Sequence, residues 1–249
     1  MNDDVLLELL HEVADAVADA LASVQEWGPS GLRDGQYAAD LIADAAALDV
    51  LRRAGVGVLS EESGLEHGDR PIVVVVDPLD GSTNASRGIP WFATSLCAVD
   101  GDGPRVSVVA NQAASRSRYE AVRGGGARRD GEPIAPSTTT ALHEAVVGIS
   151  GYPAQLVHWW QFRSLGAAAL DLCLVADGTL DGYVDCSRSA HGVWDYAGAL
   201  LVCREAGATI ADAEGRDMMT LDPDTRRTPI AAGTEMLFEE LLAARQSFS

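Results

Sequence analysis

The stretch IVVVVDPLDGST, Ile72 to Thr83, limits the possible folds more than any other part of the chain. Four consecutive valines leave no polar side for water, so the strand they form has to be covered on both faces. A sheet with a packed layer on each side meets that demand, and the helices and strands that alternate along the chain are compatible with an α/β fold. The strand delivers Asp77 and Asp80 to a tight turn at its C-terminal edge, where sheet-based sites commonly form. Two carboxylates held so close repel each other unless a cation or a shared proton lies between them. Pro78 stiffens the turn and Gly81 lets the backbone approach a ligand closely. The small residues that follow can open a helix whose free N–H groups suit a phosphate.

The rest of the chain alternates in the same style. Apolar residues recur at helical spacing through residues 3–25, and an Ala- and Leu-rich helix is predicted from about Asp40 to Arg53. A short strand, VGVLS, runs into the polar turn EESG. Residues 92–134 read as a meander of strands broken by Gly and Asp-Gly turns. Arg123–Gly126 (RGGG) precedes more strand rather than a helix, so it reads as a hairpin and not a phosphate loop. Helices are predicted in SLGAAALDLCLVADG, WDYAGALLVCREAG and EMLFEELLAARQ, with strands in LDGYVD and TPIAAG. A soft boundary near APSTTT divides the chain into an N-terminal α+β lobe, 1–140, and a C-terminal α/β lobe, 141–249, that share a cleft. Trp159 and Trp160 are expected in a core or a subunit contact.

Charge narrows the partners. The net charge is −19, and all 18 basic residues are Arg. Such a surface argues against nucleic-acid or anionic-membrane binding, and repels an anionic substrate unless bound cations reverse the sign locally. Cys97, Cys173, Cys186 and Cys203 are scattered and read as reduced core residues. The N-terminal segment is acidic where a secretory signal is basic, and no window reaches the length of a membrane span, so a cytoplasmic protein is expected.

Three further acids stand in pattern. Glu61 and Glu62 follow a strand sixteen residues before Asp77, and Asp195 opens a helix, where an acid is favourable with or without a metal. Hard divalent cations such as Mg2+ prefer such oxygen ligands, and the Leu79 carbonyl lies between the two turn acids. Taken together, Glu61-Glu62-Ser63, Asp77 through Asn84, Trp194 through Gly198 and Glu205-Ala206-Gly207 resemble the inositol monophosphatase superfamily of Mg2+-dependent, lithium-sensitive phosphatases. The resemblance runs from about Leu32 to the end of the chain.

That resemblance implies a layered α-β-α-β-α sandwich, usually a homodimer, hydrolysing a small phosphate ester. Inositol monophosphate is the leading candidate, and fructose-1,6-bisphosphate, 3′-phosphoadenosine 5′-phosphate and histidinol phosphate are rivals. A metal-binding interaction protein without catalysis is the rival from another class. Glu61, Asp77, the Leu79 carbonyl, Asp80 and Asp195 are implied to hold two or three Mg2+ ions. Gly81 and Ser82 amides, with Thr83 beside them, are implied to bind the phosphate. Ser82 and Asp40, with Glu61, are implied to orient the attacking water. Gly166, Ala167 and Asp185 occupy substrate-facing positions.

The chain also departs from the pattern. Tyr37 stands where a threonine is usual, and Ala85 replaces an aromatic. The segment from Asp185 to Asp195 is longer than in the inositol branch and carries Arg188 and His191. These two either meet a second phosphate or a polar substrate, or are an exposed loop arginine and a structural histidine.

Overall fold

In a computed structural model, which describes residues 1–113 and 115–248, the chain forms five alternating layers. Helices α1 (Asp3–Ala22) and α2 (Ala38–Ala54) come first. They lead into β1 (Gly57–Ser60), β2 (Gly64–Glu66) and β3 (Val73–Asp80), followed by a single turn of helix, α3 (Ser82–Ser86). The predicted meander is β4 (Ala93–Asp100), β5 (Gly103–Asn111), β6 (Arg118–Val122), β7 (Gly126–Arg129) and β8 (Glu132–Pro133). The glycines 124–126 form the β6–β7 hairpin turn, as their context predicts. These eight strands make one sheet in the order β2-β1-β3-β4-β5-β6-β7-β8, antiparallel except for the parallel pair β1–β3.

The second half supplies β9 (Val146–Ser150), β10 (Gln161–Arg163), α4 (Ala168–Ala176), β11 (Gly182–Asp185), α5 (Ala197–Ala206), β12 (Thr209–Asp212), β13 (Pro229–Ala232) and α6 (Glu235–Gln246). Its five strands form a separate sheet, β10-β9-β11-β13-β12.

The valine run explains why the layers stack as they do. Along β3 successive side chains point to opposite faces. Val74 and Val76 enter the core made with α1 and α2, while Val73 and Val75 enter the core made with α4 and α5. All eight residues of β3 are buried, as a strand covered on both faces must be. The middle core is shared with the second sheet through Tyr183, Ile210 and Ala231, and α6 closes the far face of that sheet through Leu237, Phe238 and Leu241. The result is the expected α-β-α-β-α sandwich. Close packing of α5 on the first sheet depends on Gly198: a Cβ there would lie 2.8 Å from Ser95 Oγ and 3.0 Å from Val109 Cγ2.

All four cysteines are free, with Cys97, Cys173 and Cys203 buried. Among the described residues no helix is long and apolar enough to cross a membrane. Trp159 packs against the core beneath α6, whereas Trp160 is 64% exposed, so the core reading holds for only one of the pair.

Candidate active site

The ends of β1, β3 and the turn before α5 bring the acids together. β1 and β3 run parallel, with Ser60 beside Val76, so the residues that follow each strand emerge on one edge. Asp44 of α2 holds the first turn from below: it accepts from Ser60 Oγ at 2.5 Å and from Ser63 Oγ, and Ser60 Oγ in turn accepts the Glu62 N–H. In β3 the register against β4 slips between Asp77 and Asp80, taking Pro78 and Leu79 out of the regular ladder. Asp77 Oδ1 accepts the Leu79 N–H at 3.0 Å, which closes the turn on itself. Asp195 ends a 3-10 turn, Val193–Asp195, and its Oδ2 accepts from Gly192 N at 2.8 Å.

Glu61, Asp77 and Asp195 can each place one oxygen within 4.8 Å of the others. Burial, and then the charges of Asp195, Glu62 and Asp40, push the Glu61 carboxyl up to about 8. Burial followed by Glu61, Asp80 and Asp195 holds Asp77 well above the carboxylate range. Among the described residues no arginine forms an ion pair with these three acids, and the one basic partner is His191 on Asp195. A largely buried, mutually repelling set of hard oxygen donors, with Asp77 at its buried centre, fits a divalent cation.

Asp80 stands apart from that triad. Both of its oxygens accept backbone N–H groups at the start of α4, Ala168 at 3.1 Å and Ala169 at 2.8 Å. Burial and the nearby Asp195 still hold it well above its ordinary range. Asp80 therefore ties the first half of the chain to the second while facing Asp195 across a cavity of about 130 Å3. Gly166, Ala167, Asp171, Tyr183 and His191 also line this cavity. Asp171, a structural residue by its helical position, accepts from the Trp91 indole at 2.7 Å, and burial raises it to about 7.

The turn after Asp80 needs its glycine. Gly81 has φ +82°, and a Cβ there would meet Ala167 Cβ, Gly166 O and Trp91 O, each at 3.1 Å. Asn84, a motif residue without an assigned role in the sequence reading, donates through one amide nitrogen to Trp91 O and Leu165 O, both at 2.8 Å. That bond pair pins the Gly166–Ala167 loop against α3.

On the other side of the triad lies a cavity of about 530 Å3, lined by Asp40, Glu61, Ser82, Trp194, Arg33 and Arg226. Asp40 caps α2 by accepting the Tyr37 N–H at 2.7 Å, and its other oxygen is buried without a partner. The Ser82 hydroxyl lies near enough to favour the ionised form but outside strict hydrogen-bond geometry. Burial raises Asp40 to about 6. Tyr37, in the threonine position, reaches away to Thr83, with 3.3 Å between the two hydroxyl oxygens. Arg33 binds Glu62 through both carboxylate oxygens at 2.9 and 3.0 Å, which holds the segment before α2 over this cavity.

Three expected substrate residues are placed differently from the rest. Arg188 is exposed, 3.9 Å from Glu214, and lines neither cavity. Asp185 is fully buried at the end of β11 and does not border the small cavity; His191 does. Thr83 is exposed on α3, beside rather than within the triad.

The chain resembles known proteins over nearly its whole length. A model of the inositol monophosphatase family matches residues 4–249. The chain is 32% identical to a fructose-1,6-bisphosphatase/inositol-1-monophosphatase of Archaeoglobus fulgidus, with 97% of this chain and 98% of that one covered. It is also 32% identical to an inositol-1-monophosphatase of Mesorhizobium japonicum, covering 97% and 94%. Among solved structures, a Pyrococcus horikoshii protein described as having similarities to inositol-1 monophosphatase superposes with a TM-score of 0.83 at 27% identity, covering 97% and 96%. The chain belongs to the inositol monophosphatase family.

Proposed function

We propose that this chain is a Mg2+-dependent phosphomonoesterase acting on a small hydroxylated ester, with inositol monophosphate the leading substrate. The observation that carries the reading is the triad of the buried Asp77 with the half-buried Glu61 and Asp195, without an arginine partner, beside the Asp-Gly-Ser-Thr turn. These three, with the Leu79 carbonyl and Asp80, are the residues that would hold Mg2+. Bound there, the cations supply a water of lowered pKa, charge neutralisation for the phosphate and stabilisation of the leaving alkoxide.

The remaining tasks belong to the chain itself. Gly81 and Ser82 offer backbone N–H groups to the phosphate at the start of α3. Asp40, close to Ser82 and raised to about 6, is ionised at neutral pH and accepts a proton from the attacking water. Ser82 orients that water, and Tyr37 takes no part because its hydroxyl is turned to Thr83. Gly166 and Ala167 carry no bulk and leave the small cavity to the alcohol.

Substrate choice is testable directly. Phosphate release in Mg2+ is expected to show the highest kcat/KM on inositol 1-phosphate among that ester, fructose-1,6-bisphosphate, 3′-phosphoadenosine 5′-phosphate and histidinol phosphate. A higher value on any other ester reassigns the substrate and leaves the chemistry intact.

The partner of this reading is a second copy of the chain. Tyr152, Leu156, Trp160 and Phe162 are all more than half exposed around the edge strand β10, an apolar cluster that a lone subunit would leave in water. Sedimentation is expected to give a dimer for the wild type and a monomer for Trp160→Glu. A monomeric wild type excludes this face as a subunit contact.

A further inference from the structure

The alcohol side of the site has a polar wall, and the residue on it is not the one the family resemblance points to. Asp185 lies behind the cavity, with Oδ1 used by the Ser187 N–H at 2.8 Å and its backbone carbonyl held by Arg245 Nε at 2.6 Å. Its Oδ2 is buried and unpartnered. In front of it stands His191, whose Nε2 is 3.6 Å from that oxygen, too far for a hydrogen bond, and is likewise buried without a partner.

The ring has little freedom to choose another position. The His191 backbone pairs with Arg227 in both directions, at 3.2 and 2.8 Å, and Nδ1 lies 3.2 Å from Asp195 Oδ2. A carboxylate oxygen only accepts, so Nδ1 carries the proton, and the unpartnered Nε2 lies at the Asp185 end of a ring that lines the cavity. A third unpartnered polar atom, the Tyr183 hydroxyl, lines the same cavity with Ser150 beside it. Two of these residues, His191 and Tyr183, line the cavity, and a ligand there can complete their unpartnered polar atoms. At about 130 Å3 the cavity has room for a small polar fragment of a ligand.

Resting on the phosphomonoesterase reading above, we infer that His191 is the residue that selects a hydroxylated alcohol, pairing through Nε2 with a substrate hydroxyl beside Tyr183, while Asp185 acts behind it as a positioning residue. A hydroxyl both donates and accepts, so it can pair with Nε2 in either protonation state of the ring. The bond from Nδ1 to Asp195 makes the same imidazole an orienting contact for a metal-site acid, so substrate recognition and the acidic cluster share one side chain.

Asparagine and glutamine separate the two ring nitrogens. Asn at 191 can keep a nitrogen near Nδ1 and lose the Nε2 corner; Gln can reach the Nε2 position. The ratio of kcat/KM on inositol 1-phosphate to that on phenyl phosphate is expected to fall about tenfold or more in His191→Asn, chiefly through KM on the polyol ester. His191→Gln is expected to recover part of it. Asp185→Asn is expected to do less than His191→Asn and to add little in the double variant. Calorimetric affinity for inositol 1-phosphate with Mg2+ in an Asp40→Asn background, where turnover is slowed, is expected to fall by the same factor with His191→Asn. Equal losses on both esters, or a larger loss from Asp185→Asn than from His191→Asn, overturn the inference. Wild-type silence on both esters tells against the phosphomonoesterase reading, and the calorimetric comparison then still decides the role of His191.

Discussion

Asp77→Asn is expected to lower phosphate release by about a thousandfold or more and, at the same time, to make the metal-free protein more stable at pH 8. The two effects have one cause. Asp77 is fully buried between Glu61, Asp80 and Asp195, and without a cation its charge is unfavourable there. An amide of the same shape keeps an oxygen for the Leu79 N–H and removes one charge from the cluster. The same change removes a hard oxygen ligand that a divalent cation needs. Turnover, calorimetric Mg2+ binding and urea denaturation of the two proteins check it. Loss of activity accompanied by lower metal-free stability would mean that Asp77 is chiefly a structural residue.

The second large effect is on the pH dependence of stability. Glu61, Asp77, Asp80 and Asp40 all have folded pKa values raised above those of the unfolded chain. The folded protein therefore retains protons that the unfolded chain has released, and stability falls as pH rises from about 4 through about 8. His191 has the same sign: burial lowers it, but the bond to Asp195 together with the charges of Asp195, Asp185 and Asp80 raises it to about 9, so its contribution is complete below 6.5 and is lost as pH passes 9. Glu61 alone, moving from 4.5 to about 8, represents on the order of several kcal/mol. At about 2–4 °C per kcal/mol for a domain of this size, Tm without metal is expected to drop by roughly 10 °C between pH 5 and pH 8.5. Mg2+ replaces the protons, so it is expected to raise Tm far more at pH 8.5 than at pH 5. Thermal scans in EDTA and in Mg2+ at both pH values check this, with Asp77→Asn giving a flatter EDTA curve. Equal Mg2+ effects at the two pH values would contradict it.

Much of this architecture is legible in the chain because the decisive signals are local. A valine run that alternates between two cores needs layers on both sides, and helix periodicity and Gly stops place the elements within a few residues. The acids of the turns are readable for the same reason, since each follows its strand or opens its helix. What escapes is anything set by contact between the halves. That Asp80 would cap α4 follows from packing against a helix that starts 88 residues away in sequence, and no spacing rule encodes it. Asn84 is visible as a motif letter, but its grip on Leu165 depends on the same packing. His191 and Arg188 lie three residues apart on one segment, and only the pairing of His191 with Arg227 decides which turns inward. Asp185 matches a substrate position by order along the chain, yet the longer segment after it lets His191 stand in front.

The central claim is that the Glu61, Asp77 and Asp195 cluster holds cations for phosphate-ester hydrolysis. The most direct test is phosphate release from inositol 1-phosphate by the wild type in EDTA and across a Mg2+ titration, with Asp77→Asn alongside. No release is expected in EDTA, with saturable activation of the wild type by Mg2+ and no activation of the variant. Equal rates with and without Mg2+, or an Asp77→Asn protein that Mg2+ activates like the wild type, would contradict it.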